Sequence, residues 1–156
     1  MKVRTLTAEE KRQSGYSHVI EIINTDLTAA DTTQTIDLVT GLTAGAIVTA
    51  AAMRLVTPFS GGAGTNLVLD AGWDLVAGTD DPDGLLDAYE INVDATEILA
   101  ADGNGAAFAT LRTGFAFPQS ASKITALFTA TGANLSTLTA GKVAIFLSIF
   151  DLDDLL

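Results

Sequence analysis

The chain contains no cysteine. That excludes disulfides, thiolate metal sites and a thiol nucleophile. It contains a single histidine, His18, which leaves zinc and iron sites without their usual ligands. One tryptophan, Trp73, and two tyrosines, Tyr16 and Tyr89, supply few flat platforms for stacking sugars. Cations are scarce: 8 Lys and Arg stand against 19 Asp and Glu, for a formal charge of −11. So acidic a body is a poor partner for nucleic acid or an anionic membrane. No apolar run approaches the ~20 residues of a membrane helix. The first residues, "MKVRTLTAEEKRQSG", have no apolar core segment, so no secretory signal is expected.

What is present is a chain of 156 residues, 48% of them hydrophobic, enough for one domain with a real core. The charge is unevenly placed. Residues 1–12 hold four of the basic residues, Lys2, Arg4, Lys11 and Arg12, against Glu9 and Glu10. Everything after them is strongly acidic. Residues 1–15 read as an N-terminal arm, either a tether to an acidic surface or an ordinary solvated terminus. "TAEE", Thr7 to Glu10, matches a capping box and predicts one short helix.

From Tyr16 onward the pattern is β. "YSHVIEII" is rich in β-branched residues. In "TQTIDLV", Thr33, Thr35 and Asp37 alternate with Gln34, Ile36 and Leu38. "GAIVTAAAMRLVTPF" has an Ala-rich centre that suits a helix and β-branched ends that suit a strand. Strand is preferred, with Pro58 and Gly61, Gly62 and Gly64 ending it in a loop. "TNLVLD" is again β-like. Residues 85–99 are ambiguous, with a short helix or turn as the expectation. "AAFATLRTGFAF" and "SKITALFTAT" follow. In the latter, Ile124, Ala126, Phe128 and Ala130 share one face. In the final run Val143, Ile145, Leu147 and Ile149 share one face, and Ala144, Phe146, Ser148 and Phe150 the other. Both faces are largely apolar, which predicts a central strand or one covered by another subunit. The expected fold is all-β: an antiparallel, jelly-roll-like β-sandwich over 16–156, with an extended N-terminal arm over 1–15.

Candidate chemistry is sparse. His18 lies in a strand-like run, and no G-x-S-x-G motif supports a triad around it. Carboxylates are numerous, but number alone is no glycosidase signal. "TDDPDG", residues 79–84, is the best metal candidate, because Asp80, Asp81 and Asp83 are hard oxygen donors before a glycine. Position twelve counted from Asp80 is Ile91, however, and not the glutamate of an EF-hand loop. The competing reading is a soluble turn. "DGNG" at 102–105 is a weaker version of the same. "GGAG" at 61–64 lacks the Lys-Ser/Thr of a phosphate loop. Phe108, Phe115, Phe117, Phe128, Phe146 and Phe150 read as core, with some available for an interface. No catalytic, cofactor or metal residue is assigned, and an enzyme is not expected.

The second half carries a likeness. "TATGANLSTLTAGKVAIFLSIFDL" (Thr129 to Leu152) and, more loosely, "AGAIVTAAAMRLVTPFSG" (Ala44 to Gly61) resemble small virion proteins of tailed bacteriophages, of the jelly-roll capsid decoration (cement) or head-protein type. The likeness spans roughly residues 16–152 and contains no catalytic motif. It implies a structural role on the outside of the mature head, as a homotrimer near three-fold positions. There it would brace neighbouring major capsid protein subunits after synthesis in the host cytoplasm. Two alternatives stay open. One is another virion part, such as a head fibre base, spike or tail protein. The other is a carbohydrate- or calcium-dependent binding module, for which calcium at Asp80–Asp83 would raise the melting temperature.

Overall fold

The computed structural model describes residues 1–43, 46–62, 64, 66–76, 79–92 and 122–151. They form two four-stranded antiparallel sheets packed face to face, an all-β sandwich. The strands are β1 (Lys2–Thr5), β2 (His18–Ile23), β3 (Thr33–Leu42), β4 (Ala46–Ser60), β5 (Asn66–Leu75), β6 (Asp81–Glu90), β7 (Ser122–Thr131) and β8 (Ala140–Asp151). One sheet has the order β1-β2-β8-β4 and the other β3-β7-β5-β6. The pairs β2·β8, β3·β7 and β5·β6 are nested in sequence, the winding of a jelly roll.

The period-2 patterns account for the core. Ile20 and Ile22 of β2, Val143, Ile145 and Leu147 of β8, and Met53 and Leu55 of β4 point inward from the first sheet. Leu69, Ala71 and Trp73 of β5 and Ile124, Ala126 and Phe128 of β7 meet them from the second. The rings of Phe59 and Phe128 lie 6.5 Å apart at 55°. As its two-faced apolarity predicts, β8 is central, between β2 and β4.

The Ala-rich stretch is strand, as expected. Between Val48 and Ala50 its register against β8 slips, because Val48 faces Ile149 and Ala50 faces Ser148. This bulge turns Ala51, Met53 and Leu55 into the core. Pro58 does not end the strand: β4 continues to Ser60. The ladder slips between Thr57 and Ser60, so Pro58 sits where no paired N–H is required of it.

A second correction concerns residues 79–90. "DDPDG" is not simply a turn, and residues 85–90 are neither helix nor turn: Asp81–Glu90 is the edge strand β6. Its pairing is irregular. Trp73 faces Asp81 and Ala71 faces Leu86, so Pro82–Leu85 form an enlarged bulge that tucks Leu85 into the core. A second slip precedes Tyr89, where Ala88 takes a φ of 56° and its N–H donates to Asp70 Oδ1 at 2.6 Å. Gly72 opposite allows the approach, since a Cβ there would strike the Asp81 carbonyl. The rest of the ambiguous 85–99 segment, from residue 93, lies outside the described residues. So do "DGNG" and the whole of "AAFATLRTGFAF", with Phe108, Phe115 and Phe117.

The N-terminal arm runs along the edge of the first sheet. β1 pairs with β2, and helix α1 (Ala8–Ser14) follows. The capping box is formed: Glu10 N–H donates to Thr7 Oγ1, and Thr7 N–H donates to Glu10 Oε2. Gly15, at φ 76°, ends the helix and returns the chain to β2.

Candidate interaction face

His18 is the single histidine of the chain and so its one candidate imidazole base. Its Nδ1 lies 2.8 Å from Ser17 Oγ, a nucleophile–base distance. The same hydroxyl also sits 3.1 Å from the Leu147 carbonyl and accepts from Ile149 N–H at 2.8 Å. Ser17 is buried and joins the start of β2 to β8. No carboxylate among the described residues bonds the His18 ring, so the triad lacks its third member. Burial and nearby Lys11 push the His18 pKa down, which keeps the ring neutral at pH 7. The pair is a strand tie.

Of the aspartates of the metal candidate, Asp81 and Asp83 meet each other while Asp80 bonds elsewhere. Asp80 Oδ1 accepts from Leu75 N–H at 3.0 Å. Burial, then hydrogen bonding to and repulsion from Asp83, raise the Asp81 pKa. No group of three His, Cys, Asp or Glu among the described residues is placed to hold a metal ion. The crowding has a measurable consequence at Asp70. Burial foremost, then repulsion from Asp87 and Asp83, raise its pKa against the lowering bond from Ala88. A folded-state pKa above the unfolded one means the ionised group opposes folding at pH 7. That opposition fades as pH falls through the folded pKa. Asp70→Asn keeps the acceptor for Ala88 and removes the charge. It is expected to raise the melting temperature at pH 7 and to lose that advantage near pH 3; equal gains at both pH values would refute this.

A different kind of site lies on the outer face of the first sheet. Strand register places two cross-strand rows side by side there. One row runs Lys2, Glu21, Ala144, Arg54. The next runs Arg4, Val19, Phe146, Ala52. All of these except Ala52, together with Leu6 and Val56, line a depression of about 300 Å³. It continues into an apolar one of about 330 Å³, where Tyr16 and Met53 join Leu6, Ala52, Arg54 and Phe146. Tyr16 leans on Phe146, with ring centroids 5.7 Å apart. The second face of β8 is therefore only partly covered by the described residues. Phe146 is half-buried there and Phe150 is 41% exposed, which removes both from the expected core.

The charges around this floor are mostly positive. Arg4 donates to both carboxylate oxygens of Glu10, at 2.9 and 2.8 Å. That pairing, with the bonds from Thr7, lowers the Glu10 pKa to about 2. Lys142 bridges Glu21 at 2.9 Å and lowers its pKa. Lys2 and Arg54 have no salt bridge among the described residues. Lys11 and Arg12 stand nearby on α1. The other sheet carries Lys123 alone among described cations, held between Asp37 and Asp74 at 2.9 and 3.0 Å. The molecule is thus polar in charge: a cation-rimmed apolar face on an otherwise acidic body.

Sequence reading found the apolar half of this face in β8 and the basic residues in the arm. It did not join them, because the join depends on strand register across more than a hundred residues. No protein-family model, no curated protein and no solved structure matches this chain.

Proposed function

We propose that the protein is a structural virion component: a capsid decoration, or cement, protein that binds the outside of a tailed-phage head and braces neighbouring major capsid protein subunits. The observation that carries this reading is the outer face of the β1-β2-β8-β4 sheet. It offers an apolar floor and a cationic rim, suited to holding another protein. The described residues offer no comparable gathering of nucleophile, base and acid. The likeness of the C-terminal segment to small virion proteins and the jelly-roll winding support the same reading. The acidic remainder suits a particle surface that must stay dispersed. No helix among the described residues is long and apolar enough to cross a membrane.

The test is cosedimentation with expanded, empty heads of the phage that encodes the chain, followed by electron microscopy of the decorated particles. The expected result is saturable binding, with density at three-fold or quasi-three-fold positions of the shell. Density confined to a fibre base or tail would transfer the protein to another part of the virion. Absence of binding to both heads and complete particles would remove the proposal.

A further inference from the structure

The described residues cover the face above only in part, and the sequence holds a segment whose chemistry matches it. Beyond Asp151, where β8 ends, the chain reads Leu152, Asp153, Asp154, Leu155, Leu156. We infer that the cation-rimmed depression on the outer face of the β1-β2-β8-β4 sheet receives residues 152–156 of a second copy of this chain. The inference rests on reading that face as a contact between virion subunits, and it names the partner.

Charge complementarity is the first argument. The body is acidic nearly everywhere, so a paired aspartate segment is repelled by most of it. The depression is the exception, with Lys2 and Arg54 lacking salt bridges among the described residues. Lys2 and Arg54 end a cross-strand row about 14 Å wide, and Glu21 between them is already bridged to Lys142, so the two carboxylates would each meet one of the two end cations. The apolar extension, floored by Ala52, Phe146 and Tyr16, supplies a place for leucine side chains.

Reach is the second argument, and it selects a neighbour over the same molecule. Arg54 lies beside Ala144, seven positions back along β8 from Asp151. At the usual strand rise this is about 24 Å. Asp153 and Asp154 follow Asp151 by two and three residues, and a chain covers at most ~3.6 Å per residue. They can travel roughly 11 Å, and must also reverse direction over Ser148 and Phe150. Docking within one chain is therefore out of reach. The donating end and the receiving face are different surfaces, so two copies can exchange tails reciprocally or the contact can run head-to-tail, closing into a ring where the rotation between copies permits.

The test is the solution mass of the full chain by size exclusion with light scattering. Three proteins accompany it: one truncated after Asp151, Arg54→Glu, and Arg54→Glu combined with Asp153→Lys and Asp154→Lys. The full chain is expected at a multiple of 16.1 kDa, with three copies satisfying a trimeric ring. The truncated chain and Arg54→Glu are expected at the monomer mass, and the charge-reversed combination back at the oligomer mass. Arg54 is exposed, so far-ultraviolet circular dichroism of its variant should match the parent. A full chain that is monomeric at every concentration, or a truncated chain with unchanged mass, overturns the inference. Head binding is read separately. A monomer that still decorates heads would overturn tail docking and leave the virion role standing. A tail-dependent oligomer that ignores heads would do the reverse.

Discussion

Ile145→Asp is expected to yield no folded protein. Ile145 is fully buried at the middle of the central strand β8, facing Ile20 on one side and Met53 on the other. Its neighbours in the core are aliphatic and aromatic, so the new carboxylate would have no cation to pair with. An unpaired buried charge costs several kcal/mol even after it is driven to its neutral form. Domains of this size have only about 5–15 kcal/mol in hand. Ile145→Val, which removes one methylene, should cost only about 0.5–1.5 kcal/mol and fold normally. Soluble expression, circular dichroism and thermal melting separate the two. Recovery of soluble, cooperatively melting Ile145→Asp would mean that β8 is not the core strand described.

Phe59→Ala is expected to lower stability by about 3–5 kcal/mol, the usual cost of emptying a buried phenyl site. In a chain this long that corresponds to a fall in melting temperature of roughly 10 °C. Phe59 is fully buried late in β4, and its ring packs near Phe128 of the opposite sheet. Its other side covers Gly141, where an added Cβ would overlap the ring. Gly141 also sits at φ 143°, a conformation that side chains rarely adopt. Gly141→Ala alone should therefore destabilise through both overlap and backbone strain. In the double variant the overlap disappears and the strain remains. The two effects should sum to less than their separate values, by the coupling of residues in contact. Strict additivity in a denaturant-melt cycle would show that the glycine is required by its backbone alone.

The parts of the fold that were legible are those where period 2 is unbroken. β7 and β8 alternate cleanly, and their inward residues are the ones their pattern names. The Ala-rich centre of β4 is the instructive intermediate. Local propensity points to helix there, but a sheet with neighbours on hand outweighs the few tenths of a kcal/mol per residue involved. β6 was illegible because two slips against β5 destroy its alternation, and because Asp, Pro and Gly belong to turns and to bulged edge strands alike. The candidate face was half legible. That β8 carries a second apolar face follows from its residues. That Lys2, Glu21, Ala144 and Arg54 form one row follows only from pairing, and no spacing rule links positions so far apart.

The winding of the sandwich also sets a schedule for its making. β2 and β4 touch each other only through β8, and 130 residues separate Ser17 from Leu147, the carbonyl to which it donates. At ~5–20 residues per second a ribosome needs roughly 6–25 s to traverse that interval. Throughout it, Ile20 and Ile22 wait without the strand that will cover their flank. Local pairs come earlier, since β1 and β2, and likewise β5 and β6, are neighbours in sequence. A nascent chain thus carries paired fragments of both sheets until β8 is released. Closure of the first sheet therefore waits on the emergence of β8, paced by synthesis and by the slow closure of long-range pairs.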